Sequence, residues 1–323
     1  MLLIISGCSM SSTNDPNAAE MSVPPALASV SGQLTIGFAV QSDSRPLPAA
    51  LVAGARQAAS TTSGLDLIVV SADDDPDQQL ADVRSLIDQE VDAIIVSPID
   101  SARAVELADE VRRAEIPLLV VGNQIGALDT VGAQYVHPGT IGLVANDDIH
   151  MGRLAAGFVR GPVGANILVL EGDPNSASST LRLQGFVDAL DALGVDYQIA
   201  AQRTGWWSEQ ESADICSDKA LLAPIDLVFS MSDEMTIGCL TALAATDLPR
   251  IPFISIGGSR DGMNLLASGS VIGLVCQSPT EMGSVAIATV ARAFETGEPE
   301  QGLRISIADA IDRTTTATCA GDW

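Results

Sequence analysis

The chain alternates short runs of apolar residues with longer segments in which apolar residues recur every three or four positions. The short runs, bounded by turn residues, predict buried strands, and the longer spacing predicts helices with one apolar face. Strict alternation of the two predicts parallel sheets with crossover helices. The predicted strands are 34–40, 65–71, 93–97, 117–121, 143–146, 166–170, 197–201, 227–230, 253–256, 271–275 and 304–307. The predicted helices are 47–60, 75–90, 101–114, 148–159, 180–193, 208–222, 233–245, 262–268 and 279–296.

Two of the predicted strands end in the same way, with an apolar run, a polar tip and a helix start. These stretches are 94–100 and 227–235. In doubly wound sheets, ligands bind beyond the carboxyl ends of the strands. Two such tips, far apart in the chain, predict two lobes that face each other across a cleft for a small molecule.

The composition permits two cores and disfavours one class of partner. A chain of 323 residues with 47% hydrophobic content is long enough for two domains, and its 3% aromatic content means that their cores are aliphatic. The net charge of -25 repels polyanions, because nucleic-acid binding draws its affinity from Lys and Arg. Nucleic acid is therefore not an expected partner.

The first residues form an apolar run that ends in small residues and a cysteine. Ile5-Ser6-Gly7-Cys8 resembles the lipobox of bacterial lipoproteins, in which the cysteine carries the lipid. No Lys or Arg precedes the run, and it is shorter than a usual signal core of ~7–15 residues. We interpret 1–8 as a truncated lipoprotein signal with Cys8 as the lipidation site, followed by a flexible tether over 9–32. The alternative is an accidental match at the start of a disordered extension of a soluble protein.

Four further cysteines follow, with no zinc-site spacing and no Cys-x-x-Cys pair. In an exported protein they predict two disulfides. Cys216 and Cys239 lie on consecutive predicted helices that flank one strand, so they are the first expected pair. Cys276 and Cys319 follow by elimination. Four buried free thiols are the alternative.

The predicted body also resembles the periplasmic sugar-binding proteins of the ribose-binding type, whose fold is shared by the effector domains of lac-repressor-like regulators. The resemblance covers about 34–314 and rests on the order and spacing of several short markers. They are Thr35-Ile36-Gly37-Phe38, Pro46, Gly54-Ala55, Ser97-Pro98-Ile99-Asp100-Ser101, Glu171-Gly172, Arg182, Gly185-Phe186, Ser232-Asp233-Glu234-Met235, Gly238, Gly258-Ser259-Arg260-Asp261-Gly262 and Gln277. It implies an α/β fold of the periplasmic binding protein type I, with two doubly wound parallel-sheet lobes joined by three hinge crossings. The implied lobes are 33–146 with 278–309, and 147–277 with 310–323.

The resemblance also implies where a ligand would be contacted, and this chain departs from the family at most of those positions. Arg45, Leu47 and Pro48 stand in the first loop, where an Asn and paired Phe are common. Gly122-Asn123 replaces an Asp-Arg pair, Thr180 an arginine, Ser232 an asparagine and Gly257 an aspartate. Trp206 and Gln277 remain. The expected ligand-binding set is therefore Arg45, Asn123, Thr180, Trp206, Ser232 and Gln277. Such a pocket either holds a different solute or no longer binds a sugar.

Each of these residues has an alternative structural role. Trp206 is a stacking platform or a loop anchor between the lobes, and its neighbour Trp207 is expected to be structural. Arg45 binds a carboxylate or hydroxyl pair, or is a solvated loop residue. Asn123 and Gln277 offer donors and acceptors that suit a hydroxyl-bearing ligand, or that order the hinge.

Catalysis and metal binding find little support in the sequence. His137 and His150 have no nucleophile or metal ligand at a matching spacing. The acids at 73–77 lack the glycine and the distal glutamate of a calcium loop, so they are expected to cap a helix. We therefore expect no enzyme activity, no metal and no cofactor.

These observations predict a monomeric solute-binding lipoprotein, anchored by a lipid on Cys8 to the outer face of the cell membrane. It would capture a small polar ligand, a carbohydrate or a relative, by hinge closure and deliver it to the permease of an ABC-type importer. The alternative is an extracytoplasmic sensor in which the same closure signals to a membrane receptor kinase. A transcriptional regulator would need a helix-turn-helix before the first strand, and 9–31 has neither helical period nor basic character.

Overall fold

The computed structural model describes residues 32–132, 135–159, 164–298, 303–306, 308–314, 319, 321 and 323. The predicted signal, the lipidation residue Cys8 and the tether up to residue 31 lie outside the described residues. Across the described part of the chain, no helix combines the length and the apolar character that crossing a membrane requires.

The first lobe is built on a sheet of six parallel strands in the order β11-β5-β4-β3-β1-β2. Its strands are β1 (Leu34–Val40), β2 (Leu65–Ser71), β3 (Ala93–Val96), β4 (Leu118–Val121), β5 (Gly142–Asn146) and β11 (Leu303–Ser306). Its helices are α1 (Pro46–Thr61), α2 (Pro76–Asp88), α3 (Ala104–Arg113) and α10 (Pro279–Thr296). Aliphatic residues of both sheet faces pack against these helices, which gives a core on each side of the sheet.

The second lobe has a sheet in the order β12-β10-β9-β8-β6-β7, in which only the short β12 runs antiparallel. Its strands are β6 (Ala165–Glu171), β7 (Tyr197–Thr204), β8 (Leu227–Ser230), β9 (Phe253–Gly257), β10 (Val271–Cys276) and β12 (Asp309–Ile311). Its helices are α4 (Asp148–Ala156), α5 (Ala177–Ala192), α6 (Glu209–Cys216), α7 (Lys219–Leu222), α8 (Asp233–Ala244) and α9 (Arg260–Ser268). This sheet also has a core on each face. The predicted α/β fold class is therefore confirmed.

The chain passes between the sheets three times. The passages lie between β5 and α4, between β10 and α10, and between β11 and β12. Asp309 pairs with Cys276 in the second sheet, although the sequence places residues up to 309 in the first lobe. The first two passages carry Asn146 and Gln277, which therefore lie where the lobes join.

Two helices differ from their predicted bounds because aspartate side chains cap backbone groups. Asp218 accepts hydrogen bonds from the N–H groups of Ala220 and Leu221, which starts a new helix and divides the predicted 208–222 helix into α6 and α7. Asp100 likewise accepts from the N–H groups of Ala102 and Arg103, so a turn precedes α3.

Two disulfides hold the second lobe. Cys216 of α6 is bonded to Cys239 of α8, and Cys276 of β10 is bonded to Cys319. The second bond joins the C-terminal segment to the strand that leads into the second passage.

Candidate functional site

The carboxyl ends of the strands in the two sheets face each other across a cleft that contains two adjoining cavities. The inner cavity lies against the passages between the lobes. Its polar lining is Gln41, Arg45, Ser97, Asn123, Asn146, Ser176, Ser178, Arg182, Ser232, Glu234 and Gln277, with the indole of Trp207. The outer cavity lies at the mouth of the cleft. It is lined by Gln41, Arg45, Asp74, Pro76, Ile99, Asp100, Asp173, Asn175, Trp206 and Trp207.

Arg182 of α5 organises the inner end of the cleft. Its Nε donates to Asp148 Oδ1 at 2.8 Å and its Nη1 to the Met231 carbonyl at 2.7 Å. Its Nη2 donates to Gln277 Oε1 at 3.1 Å. Asp148 and Arg182 are both buried, and Ser178 Oγ donates to the other carboxylate oxygen of Asp148. Burial raises the pKa of Asp148, and the charge of Arg182 opposes that shift.

This network leaves one buried acceptor without a partner. Arg182 can only donate, so Gln277 must present its oxygen to it, and Asn146 must then donate its Nδ2 to the same oxygen at 3.0 Å. Asn146 Oδ1 is buried and has no hydrogen-bond partner. Among the described residues no acceptor contacts Gln277 Nε2. Both residues line the inner cavity, and neither Asn146 Oδ1 nor Gln277 Nε2 has a partner among the described residues.

On the first lobe, Arg45 and Asn123 both line the inner cavity, and both are held by protein partners. Arg45 makes two bonds with Asp74, 2.8 Å from Nε to Oδ2 and 2.6 Å from Nη2 to Oδ1. Asn123 Oδ1 accepts from Ser101 Oγ, and its Nδ2 donates to the Pro98 carbonyl. The charge of Arg45 is therefore already paired. The Asn123 side chain orders the loop that contains Pro98 and Ser101.

Trp207 lines the inner cavity, and Trp206 lines only the outer one. The Trp207 ring lies 5.5 Å from Arg182 Cζ, a cation–π arrangement. Its indole fits against Gly172, where a Cβ would come within 1.9 Å of Trp207 Cζ2. The sequence assigned the ligand contact to Trp206 and a structural role to Trp207, whereas both face the cleft.

Thr180, one of the six expected ligand residues, is exposed on α5 and lines neither cavity. Its expected position is taken by Ser178 and Arg182. Residues four apart share one face of a helix, and a residue midway between them points to the opposite side. Because α5 begins at Ala177, this phase directs Thr180 to solvent.

At the start of α8, Ser232 and Glu234 line the inner cavity. Ser232 Oγ also caps the helix by accepting from the Met235 N–H. Glu234, which the sequence did not nominate, has a raised pKa because of its burial, with the neighbouring Asp233 charge adding to the shift. Its own N–H, Ser232 and the positive Arg45 of the other lobe oppose the shift. Only the cleft geometry distinguishes Glu234 from an ordinary acidic residue in a first helical turn.

Asp233 explains the glycine that stands in place of the family's aspartate at position 257. Its buried carboxylate accepts from Ser255 Oγ, Ser259 Oγ and the N–H groups of Gly258 and Ser259, all at 2.7–2.9 Å. A Cβ on Gly257 would lie 2.2 Å from Asp233 Cγ. Asp233 thus occupies the space that a side chain at 257 would need.

The two lobes contact each other beside the cavities. The Ser101 N–H donates to the Asn175 carbonyl, and the Ala177 N–H donates to Ser101 Oγ, both at 3.0 Å. Val131 of the first lobe packs against Ala177 and Leu181 of α5. These contacts join the two lobes directly.

No cluster of three or more metal-ligating side chains occurs among the residues that the structure describes. His137 and His150 do not line either cavity, and burial lowers the pKa of His137.

The periplasmic binding protein domain family matches residues 36–299. The xylitol-binding protein of Mycolicibacterium smegmatis is 29% identical over 255 residues, which cover 78% of this chain and 70% of the relative. The ribose import binding protein RbsB of Bacillus subtilis is 26% identical over 259 residues, 79% of each chain. A solved structure from Mycobacterium smegmatis in complex with β-D-fucofuranose superposes with a TM-score of 0.76 at 25% identity, over 87% of this chain and 91% of that one. The family match spans most of the chain, and the predicted resemblance is confirmed: the chain belongs to the type I periplasmic binding protein family.

Proposed function

We propose that this protein is an extracytoplasmic solute-binding protein of an ABC-type importer, which captures a small polyhydroxylated ligand between its lobes. The observation that carries the proposal is the unpaired Asn146 Oδ1 beside the free Gln277 Nε2 in the inner cavity. A buried acceptor without a partner costs about 1–3 kcal/mol, which a ligand donor would recover.

A hydroxyl group suits this pair because it donates and accepts at once. One ligand hydroxyl can donate to Asn146 Oδ1 and accept from Gln277 Nε2. The neighbouring hydroxyl groups of the ligand would face Glu234 and Ser232. The Trp207 ring offers an apolar surface for the carbon face of a sugar. Since the lining comes from both lobes and from the first two passages, such a ligand binds the closed arrangement better than an open one.

The relatives support the ligand class. Proteins similar to this chain are described as binding xylitol, ribose and β-D-fucofuranose, all of them small neutral polyols or sugars. They are binding proteins, so we assign this chain no chemical turnover. Delivery to a membrane permease as a monomer, and anchoring by a lipid on Cys8, belong to the same proposal.

A thermal-shift screen with D-ribose, xylitol, L-arabinose and myo-inositol tests the proposal, because a ligand that binds only the folded protein raises its melting temperature. Asn146→Leu should weaken the best hit about tenfold or more. Its unliganded stability should change little, since the substitution also removes the unpaired oxygen. Thr180→Ala, on the exposed face of α5, is the matched control. The proposal fails if no compound shifts the transition, or if both variants bind equally well.

A further inference from the structure

The outer cavity continues the inner one toward solvent. Gln41, Arg45 and Trp207 line both cavities, so the two cavities adjoin at these three side chains. The remaining lining of the outer cavity comes from both lobes, with Asp100 on the first and Asp173 on the second. A disaccharide with one ring in each cavity would span the junction at Gln41, Arg45 and Trp207.

An exposed indole faces this outer cavity. Trp206 is 48% exposed, and with Leu193 it makes up the exposed large hydrophobic side chains of the described chain. Trp206 and Trp207 both have left-handed backbone, with φ of +54° and +56°. Such a conformation is rare for bulky residues and costs free energy, which tight local packing must offset. A Cβ on Gly205 would lie 2.5 Å from Ser212 Oγ, so the loop is packed closely at that point. The strained turn places Trp207 against both cavities and Trp206 against the outer one only.

The outer cavity also offers hydrogen-bond acceptors that the protein does not use. Asp100 Oδ1 caps the turn before α3, and Asp173 Oδ1 accepts from the Asn175 N–H. The Asn175 side chain also donates to the Asp173 carboxylate. In the described part of the chain, Asp100 has no donor at Oδ2, and neither aspartate has a cationic partner. The pKa of Asp173 is raised by its burial, with the charges of Asp100 and Asp74 adding to the shift. An aromatic face beside carboxylate oxygens is an arrangement that suits a sugar ring, which stacks by its C–H face and donates from its hydroxyls.

We propose that the outer cavity is a second sugar subsite, so that the ligand is a neutral disaccharide or glycoside rather than a single ring. One ring lies in the inner cavity, and the second stacks on Trp206 and donates hydroxyls to Asp100 and Asp173. An acidic second ring is disfavoured because its carboxylate would meet these two aspartates. This inference rests on the proposed function. The alternative is that the outer cavity is only the open mouth of a monosaccharide site.

Calorimetric titration of the full chain with matched sugars tests the second subsite. The pairs are D-xylose with xylobiose, L-arabinose with arabinobiose, and D-glucose with cellobiose and maltose. At least one disaccharide should bind more tightly than its own monosaccharide, by about 3- to 10-fold for one added stacking contact. Trp206→Ala should remove that gain and leave monosaccharide affinity within about twofold, and Trp206→Phe should retain most of it. Leu193→Ala, at the other exposed large hydrophobic side chain of the described residues and outside both cavities, should change neither affinity.

The possible results separate this inference from the proposed function. If monosaccharides bind and no disaccharide binds better, or if Trp206→Ala weakens both members of a pair equally, the second subsite is overturned and the proposed function stands. If no sugar of either length binds, both are overturned. Melting of each unliganded variant shows whether the substitution has disturbed the fold, and Asp173→Asn gives an independent readout. It should weaken the disaccharide and spare the monosaccharide.

Discussion

At the scale of single residues, the site depends on buried Arg182, whose hydrogen bonds fix the protein groups around it. Arg182 binds Asp148, the Met231 carbonyl and Gln277, and thereby fixes which atoms of Gln277 and Asn146 face the cavity. The sequence identifies Arg182 only as a family marker. Its role follows from the geometry of the three bonds.

Replacing Arg182 by methionine should destabilise the protein by about 3–5 kcal/mol at neutral pH, because Asp148 would remain buried without its counter-charge. Urea unfolding measures the loss. The deficit should shrink as the pH falls. Burial already raises the folded-state pKa of Asp148, and loss of Arg182 raises it further, while the unfolded value stays near ~3.9. Because its folded-state pKa lies above its unfolded pKa, the Asp148 carboxyl group stabilises the folded protein at pH values below the unfolded pKa. That stability is lost as the pH rises through the folded-state pKa.

The double variant Arg182→Met with Asp148→Asn is the control for this prediction. It has no carboxylate at position 148, so its stability relative to the native protein should not recover in acid through this site. A deficit of Arg182→Met that stays constant from neutral pH down to about pH 4.5 would contradict the assignment.

The sequence predicts a site residue only where the residue lies at the end of a strand or the start of a helix, because that position alone directs its side chain into the cleft. Arg45, Asn123, Ser232 and Gln277 line the inner cavity as expected, because each follows a strand or precedes a helix at the cleft. Thr180 was misplaced because the helix phase depends on where α5 begins. Glu234 and the unpaired oxygen of Asn146 carry no sequence signal, since both depend on contacts between distant segments.

At the scale of elements, the alternation of apolar runs and helical segments was sufficient to predict the parallel strands of both sheets. The sequence did not predict β12, because three residues are too few to show a period. It also missed the interruption between α6 and α7. There the Asp218 side chain competes with the helix backbone for the N–H groups that follow it, and periodicity does not show which of the two prevails.

Pairs of helices in both lobes approach so closely that glycine is required at the contact. A Cβ on Gly54 of α1 would lie 1.9 Å from the Thr280 carbonyl oxygen of α10, and one on Gly283 the same distance from the Leu51 carbonyl oxygen. Gly152 and Gly185 make the equivalent contacts between α4 and α5. The opposing atoms are backbone, so a side chain could be admitted only by separating the helices.

Gly54→Ala should therefore destabilise the first lobe by about 1–3 kcal/mol in urea unfolding, as overpacked cores do. The sign of the change in unfolding free energy is diagnostic, since alanine in an unhindered helix interior stabilises a protein by up to ~1 kcal/mol relative to glycine. Gly132→Ala is an unhindered control in a loop, because a Cβ there meets nothing within 4 Å. Equal stability of the two variants would refute the close helix contact.

At the scale of the whole molecule, the two lobes are joined by contacts that a ligand does not make. Ser101 bonds to the backbone of Asn175 and Ala177, and Val131 packs on Leu181. In the proposed hinge closure these contacts form only in the closed arrangement, so they would favour it before any ligand contact is counted. Ligand affinity should then depend on residues that never touch the ligand, because the apparent dissociation constant is the intrinsic one divided by the closed fraction.

Val131→Asp tests this dependence. Val131 is 8% exposed against the other lobe, so an aspartate there must either be buried without a partner or keep the lobes apart. Opening solvates the new carboxylate, and we therefore expect the affinity for the best sugar to fall about 10- to 100-fold while the unliganded stability is largely retained. Calorimetry measures the affinity, and X-ray scattering should show a larger unliganded radius of gyration. Thr130→Asp adds the same charge at an exposed neighbouring position and should bind like the native protein. If the two variants bind alike, closure does not depend on this contact, and the ligand alone must supply the free energy that brings the lobes together.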